Sequence, residues 1–265
     1  CVEYTLQSIT KIQTENPEKY KALKEKIKFN ELREVGKWAN IIDNMYFPKD
    51  EDLGVFLQQD NYLDKELLTV DDLKYEERPI NQIWSWDRIL RSCFIKQADV
   101  LQGIYFFEHK YDMDTIQRNF DFYEPKTVHE SSLSPCVHTI LAAKLGYKEK
   151  AYDLYLRTAR LDLDDYNDEV NQGLHITSMA GTYLSVVEGF GGMRLVNGDL
   201  HFNSFIPSKW ELYSFTVKYR DTLLKVAVTK EKITVSNQVG DKIKVFIRGV
   251  EYNIRERESV EFYCN

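Results

Sequence analysis

Ser134-Pro135-Cys136-Val137-His138-Thr139-Ile140-Leu141-Ala142-Ala143-Lys144-Leu145-Gly146, followed at once by Tyr147-Lys148 and a run to Arg160, spells two helices and the corner between them. Serine and proline stand where a helix begins, because proline's fixed φ and missing N–H are harmless in the first turn. Gly146 stands where one ends, since glycine takes the left-handed C-terminal conformation without steric cost. Over residues 148–160, Ala151, Leu154, Tyr155 and Thr158 recur at helical spacing and share one face. Helices joined by so short a corner pack as neighbours, and this hairpin is the unit from which the fold is read.

The same period runs upstream. Asn16-Pro17-Glu18 opens a helix carrying Tyr20, Leu23, Lys24 and Ile27, and Leu32, Val35, Gly36, Ala39, Ile42 and Met45 form a second apolar stripe. Residues 46–87 hold charges, two prolines and short apolar runs such as Val55-Phe56-Leu57. That composition predicts a long loop with brief strands, ordered by Phe47, Phe56, Tyr62, Trp84 and Trp86. Residues 89–108 are apolar almost all round and predict a buried helix. Asp112-Met113-Asp114 opens another with acids at its positive end, and residues 177–188 form the last. Helical pairs with short turns alternating with longer loops describe an α/α barrel, or part of one.

After Gly191-Gly192 the period becomes two. Phe215, Val217 and Tyr219, then Leu224, Val226 and Val228, then Ile233 and Val235, then Ile243, Val245 and Ile247 alternate with polar neighbours. Turn residues separate these runs, which predicts a strand meander. The expected architecture is mainly α followed by β, with a helical domain over residues 1–197 and a small antiparallel β-sandwich over residues 198–265.

Composition narrows the function. The 265 residues are 43% hydrophobic and carry a net charge of −7. Lys and Arg are not clustered, which argues against nucleic acid, whose phosphates are neutralised by clustered cations. No apolar run approaches the roughly 20 residues needed to cross a bilayer, and no signal peptide opens the chain. Cys1, Cys93, Cys136 and Cys264 are scattered without metal-ligand spacing, so reduced thiols, no metal and a cytoplasmic setting are expected. The 17 Tyr, 14 Phe and 4 Trp offer apolar faces that suit sugar rings as well as cores.

Three segments concentrate chemistry. Lys96-Gln97-Ala98-Asp99 places an amine and an amide on an otherwise apolar helix, where they are costly unless they face a polar cavity or Lys96 pairs with Asp99. The loop at residues 119–134 holds His129, Ser131 and Ser132 beside Glu124 and Glu130. Its hydroxyls and imidazole suit either helix capping or a ligand. In His175-Ile176-Thr177-Ser178-Met179-Ala180-Gly181, Thr177 or Ser178 is expected to cap a helix whose first amides point outward, an arrangement that holds anions such as phosphate.

These segments, in this order, resemble the C-terminal half of the inverting disaccharide phosphorylases of the maltose, trehalose and kojibiose phosphorylase family, glycoside hydrolase family 65. Leu53-Gly54-Val55-Phe56-Leu57-Gln58-Gln59-Asp60, Ala159-Arg160-Leu161-Asp162-Leu163 and Glu188-Gly189-Phe190-Gly191-Gly192-Met193-Arg194-Leu195 extend the resemblance over nearly the whole chain. One departure is Glu130, where many relatives have Asp. The resemblance implies a partial (α/α)6 barrel, about half of its helices being present by the count of helical stripes, plus the small β-sandwich appended to it. It implies that Lys96 and Gln97 bind the glucosyl unit, and that His129, Ser131, Ser132, His175, Thr177, Ser178 and Gly181 hold the attacking phosphate.

In that family the general acid is a glutamate in a His-Glu-Asn type motif, and no such motif stands here. The acid is therefore expected upstream of Cys1. The chain would be a fragment, inactive alone, whose partners are the remaining N-terminal part of the enzyme, a disaccharide and inorganic phosphate as co-substrate, with no other cofactor. Dimers are common among such enzymes, so a homodimer stays open. Phosphorolysis with inversion needs an acid for the leaving oxygen but no carboxylate base, because phosphate is already an anionic nucleophile. The products would be β-glucose 1-phosphate and glucose. Two alternatives stay open: an inverting α-glucosidase or trehalase-like hydrolase with Glu124 or Glu130 as base, and a non-catalytic remnant. Glu124 is otherwise expected to pair with an arginine or cap the turn before Pro125.

Overall fold

A computed structural model describes residues 1–264 and divides the chain into two compact units, Cys1–Pro48 and Lys49–Asn265. The first unit is three helices, α1 (Val2–Glu15), α2 (Pro17–Lys26) and α3 (Glu31–Asp43). Asn16 caps α2 by accepting from Lys19 N at 3.1 Å, with Pro17 in the first turn, so this start is where the sequence places it. Phe29 stacks on Trp38 at 5.5 Å. The Lys24 ammonium, 2.7 Å from Glu31, holds that carboxyl down at about 2.

The second unit begins with a long irregular stretch containing the short pair β1 (Lys49–Asp50) and β2 (Val55–Phe56) and two small helices, α4 (Ile80–Ile83) and α5 (Trp86–Arg91). The continuous helix expected over residues 89–108 is broken. α5 stops at Arg91, and α6 (Asp99–Phe106) starts only after an extended segment. The cause is tertiary: Ile95 N donates to Lys126 O at 3.0 Å and Val128 N to Ile95 O at 2.9 Å, a strand-like pairing that replaces helical bonds. Cys93, Phe94 and Ile95 are buried, so they give the apolar signal of a helix without forming one.

α7 (Met113–Tyr123) is capped by Asp112, which accepts from Thr115 N at 2.7 Å. α8 (Ser134–Lys144) and α9 (Lys148–Ala159) turn at Gly146, whose φ is +80°. α9 buries Ala151, Leu154 and Thr158, the stripe read from the sequence. α10 (Ile176–Leu184) packs on both and continues as a π-helical turn, Ser185–Phe190.

Eight strands follow, beginning at Met193: β3 (Met193–Val196), β4 (Asp199–Phe202), β5 (Leu212–Tyr219), β6 (Thr222–Thr229), β7 (Lys232–Val239), β8 (Ile243–Ile247), β9 (Val250–Ile254) and β10 (Ser259–Tyr263). They form two four-stranded sheets, β10-β7-β6-β5 and β3-β4-β8-β9. The meander holds through β5, β6 and β7, but β8 leaves it and pairs in parallel with β4, the one non-antiparallel pairing among the described strands. The division expected between residues 197 and 198 falls within the β3–β4 hairpin, because β3 pairs along its whole length with β4. Leu200, Phe202, Val245 and Ile247 of one sheet and Phe215, Leu224, Val226 and Ile233 of the other belong to one apolar core. An aromatic cluster of Tyr155, Phe190, Phe205, Trp210 and Tyr213 joins α9 to these sheets.

Candidate functional site

The three polar segments meet. The Ile95 pairing sets Lys96 and Gln97 beside Thr127 and Val128, directly before His129. One loop further on, Ser132 Oγ lies 2.6 Å from Thr177 Oγ1, tying the serine loop to the start of α10. Contacts in succession thus link segments more than 75 positions apart, from Lys96 to Thr177.

The serine loop is held in an unusual shape. His129 has φ +54°, the left-handed region that costs a non-glycine residue about 1–3 kcal/mol unless its surroundings enforce it. The enforcement is visible. Arg157 donates to His129 O at 2.9 Å, Arg78 donates to Val128 O at 2.8 Å, and His129 Nδ1 lies 2.6 Å from Ser134 Oγ. Glu130, only 2% exposed, accepts from Ile80 N at 2.7 Å and from Arg78 Nε at 3.2 Å. Its carboxylate is therefore a buried anchor for the loop, and not a base facing a ligand.

Several expected ligands lie under the site and not on it. His129 is buried. Burial holds its imidazole below the ordinary value, so it is neutral at pH 7 and its 3.9 Å approach to Glu124 is not an ion pair. Ser131 is buried and its Oγ accepts from Leu133 N at 3.2 Å. Ser178, 3% exposed, donates its hydroxyl to Thr158 O at 2.6 Å, fastening α10 to α9. Gly181 is a packing position, where a Cβ would sit 2.9 Å from Cys136 Cβ. The residues whose polar atoms reach the surface are Ser132, His175 and Thr177, with Lys96 and Gln97 exposed nearby.

Capping also differs from expectation. His175, not Thr177 or Ser178, occupies the cap of α10, and Leu133, not Ser134, that of α8. Ile176 N bonds Leu174 O, while Ser178 N and Met179 N both bond His175 O. Among the described residues this leaves only the Thr177 amide of that turn open. Lys96 has no ion-pair partner among the described residues, and Asp99 instead accepts from Gln58 Nε2 at 2.6 Å. A cavity of about 200 Å³ opens here, lined by Gln58, Lys65, Lys96, Gln97 and Asp99 among others.

Groups the sequence did not advertise complete the picture. His138 lies on the otherwise apolar α8, fully buried, its ring 4.5 Å from that of His129, and burial pushes its pKa well below the usual histidine range. Glu124, His129 and His138 bring potential metal-ligating atoms within 4.8 Å of one another. However, Glu124 already pairs with Lys150 at 2.9 Å, where an arginine was expected, and an ammonium beside the carboxylate disfavours a cation. Burial raises the Glu124 pKa, but the contacts to His129 and Lys150 outweigh it and hold the carboxyl low. A second cavity, about 700 Å³, lies by Tyr105, Glu108, Lys144, Glu188 and Arg194. Its charges are mutually satisfied, with Glu108 pairing to both Arg194 and Lys144 and Glu188 accepting from Tyr105 at 2.5 Å.

Comparison with known proteins separates the helices from the strands. Residues 1–184 match the glycosyl hydrolase family 65 central catalytic domain and residues 193–254 the family's C-terminal domain. A maltose phosphorylase of Bacillus subtilis (strain 168) is 52% identical over 88% of this chain and 30% of its own length. An alpha,alpha-trehalose phosphorylase of Thermoanaerobacter brockii is 40% identical over 92% of this chain and 32% of its own. A solved structure described as that of a candidate kojibiose phosphorylase from human microbiome superposes with a TM-score of 0.88 at 31% identity, covering 100% of this chain and 34% of that one. The chain thus spans roughly a third of the length of these proteins.

Proposed function

The chain belongs to glycosyl hydrolase family 65, and on that premise we propose that it is the C-terminal part of a phosphorylase that cleaves an α-linked glucosyl disaccharide. Inorganic phosphate attacks with inversion, giving β-glucose 1-phosphate and glucose. The observation that carries this reading is the junction of the three polar segments through the Ile95 pairing and the Ser132–Thr177 hydrogen bond. In this reading Lys96 and Gln97 hold hydroxyls of the glucosyl unit, while Ser132, His175 and the open Thr177 amide receive the phosphate. His129, Ser131, Ser178 and Gly181 shape the floor. The helices are part of an (α/α)6 barrel.

The chemistry needs little else from these residues. Phosphate arrives as an anionic nucleophile and requires positioning and charge balance. The acid that protonates the leaving oxygen supplies about 10²–10⁴-fold and, in this reading, comes from sequence outside the present chain. One observation favours an inverting hydrolase instead: the Glu169 carboxylate lies 3.8 Å from His175 Nε2, and an inverting hydrolase needs a carboxylate base to activate water.

Assaying the complete enzyme on maltose, trehalose, kojibiose and nigerose, with and without phosphate, separates the two. Phosphate-dependent release of glucose 1-phosphate is expected, with none from the 265-residue chain alone. Equal glucose release with and without phosphate would support the hydrolase. Robust turnover by the short chain would remove the need for an outside acid.

A further inference from the structure

The segment Ala159-Arg160-Leu161-Asp162-Leu163 follows α9 and reaches His175. Asp162 lies in the turn just after α9, and its carboxylate binds His175 twice. One oxygen accepts the His175 backbone N–H at 2.9 Å, and the other lies 2.5 Å from Nδ1 of the ring. We propose that Asp162 is the positioning residue of the anion site, fixing the His175 imidazole with its hydrogen on Nδ1 so that Nε2, left as an acceptor, faces the ligand and takes the hydroxyl hydrogen of monohydrogen phosphate.

Three observations carry this. First, an ionised carboxylate only accepts hydrogen bonds, so a 2.5 Å contact requires the hydrogen on Nδ1. Asp162 is ionised at neutral pH: partial burial raises its pKa, but the two His175 bonds outweigh this and hold it low. Second, His175 is the cap residue of α10 and has no side-chain capping bond, and its backbone bond to Asp162 joins the Ser132–Thr177 and Ser178–Thr158 bonds in holding that turn. The same carboxylate therefore fixes both the ring and the backbone of His175. Third, the ring is partly exposed, unlike the buried His129 and His138, so the orientation of its far nitrogen matters to a ligand. Glu169 Oε2, 3.8 Å from Nε2, marks the direction in which that nitrogen points.

The assignment of phosphate as the ligand rests on the function proposed above, whereas the ring's tautomer does not. The two are tested separately. Long-range nitrogen–proton spectra of the histidine-labelled chain at about pH 9, above the ordinary histidine range, should show His175 with Nδ1 protonated. In Asp162→Asn, an uncharged isostere, the ring should become a mixture of tautomers. A wild-type ring protonated on Nε2, or a pattern indifferent to Asp162→Asn, would overturn the positioning role. Should that variant not fold, the wild-type tautomer still decides. Titration with inorganic phosphate then reads the ligand: Asp162→Asn should weaken binding severalfold, because a ring carrying its hydrogen on Nε2 can no longer accept from the phosphate hydroxyl, with Asp162→Glu losing less. A locked wild-type tautomer in a chain that never binds phosphate would refute the ligand assignment while leaving the positioning role intact.

Discussion

The helical part of the second unit and its sheets bury different things. In the sheets the core is almost wholly apolar, and among the described residues Ser204, Thr222 and Asn237 are the only buried polar ones beyond residue 200. Between residues 119 and 185 the buried set includes Asn119, Glu130, Ser131, His129, His138 and Ser178. Burying such groups costs free energy unless each finds a partner, so their concentration around one loop marks the place where shape has been imposed against local preference. The sheets provide stability by ordinary packing; the helical part spends some of its stability on geometry.

The largest effect expected is at the joint between the two. Phe190 is fully buried and touches Tyr155, Phe205, Trp210 and Tyr213. Phe190→Ala should destabilise the unit by about 3–5 kcal/mol, read as the shift in urea midpoint, with loss of near-ultraviolet dichroism. A change below about 1 kcal/mol would mean that the helical part and the sheets do not share a core.

A second expected effect is confined to the polar side of the contrast. His129 and His138 both have pKa values lowered by burial. A histidine whose folded value lies below its unfolded one, about 6.5, favours folding fully only above that pH. Stability should therefore fall as pH drops below about 6.5, because the unfolded chain binds protons that the folded one refuses. Urea unfolding between about pH 7 and 5 reads the slope, and His138→Gln should flatten it. An unchanged slope would show that other groups carry the pH dependence.

The smallest effect concerns Ser178. Its hydroxyl is the donor for Thr158 O, so Ser178→Ala should cost about 1 kcal/mol of stability and leave inorganic phosphate binding within about twofold. A tenfold loss of phosphate affinity at unchanged stability would return Ser178 to the binding surface.

How much of this was legible varied with the kind of signal. The α8–α9 hairpin, the Asn16 and Asp112 caps and the strands from β5 to β8 follow from local rules that act within a few residues. The break in the helix expected over residues 89–108 was not legible, because the bonds that cause it come from Lys126 and Val128. The candidate site divides the same way. Its three segments were recognisable from the residue types they collect, but His129, Ser131, Ser178 and Gly181 turned out to lie beneath the surface, since neither backbone direction nor burial is written in a residue's identity.

Periodicity and turn chemistry alone gave the order of helices and strands, and residue types alone gave the three polar segments, because both depend on short-range sterics and hydrogen bonding. Which hydroxyls reach the surface, which nitrogen of His175 meets Asp162, and that β8 runs parallel to β4 depend on groups distant in sequence. Those contacts form only when the chain has closed, since a hydrogen bond between residues 13 or 45 positions apart has no local propensity to announce it.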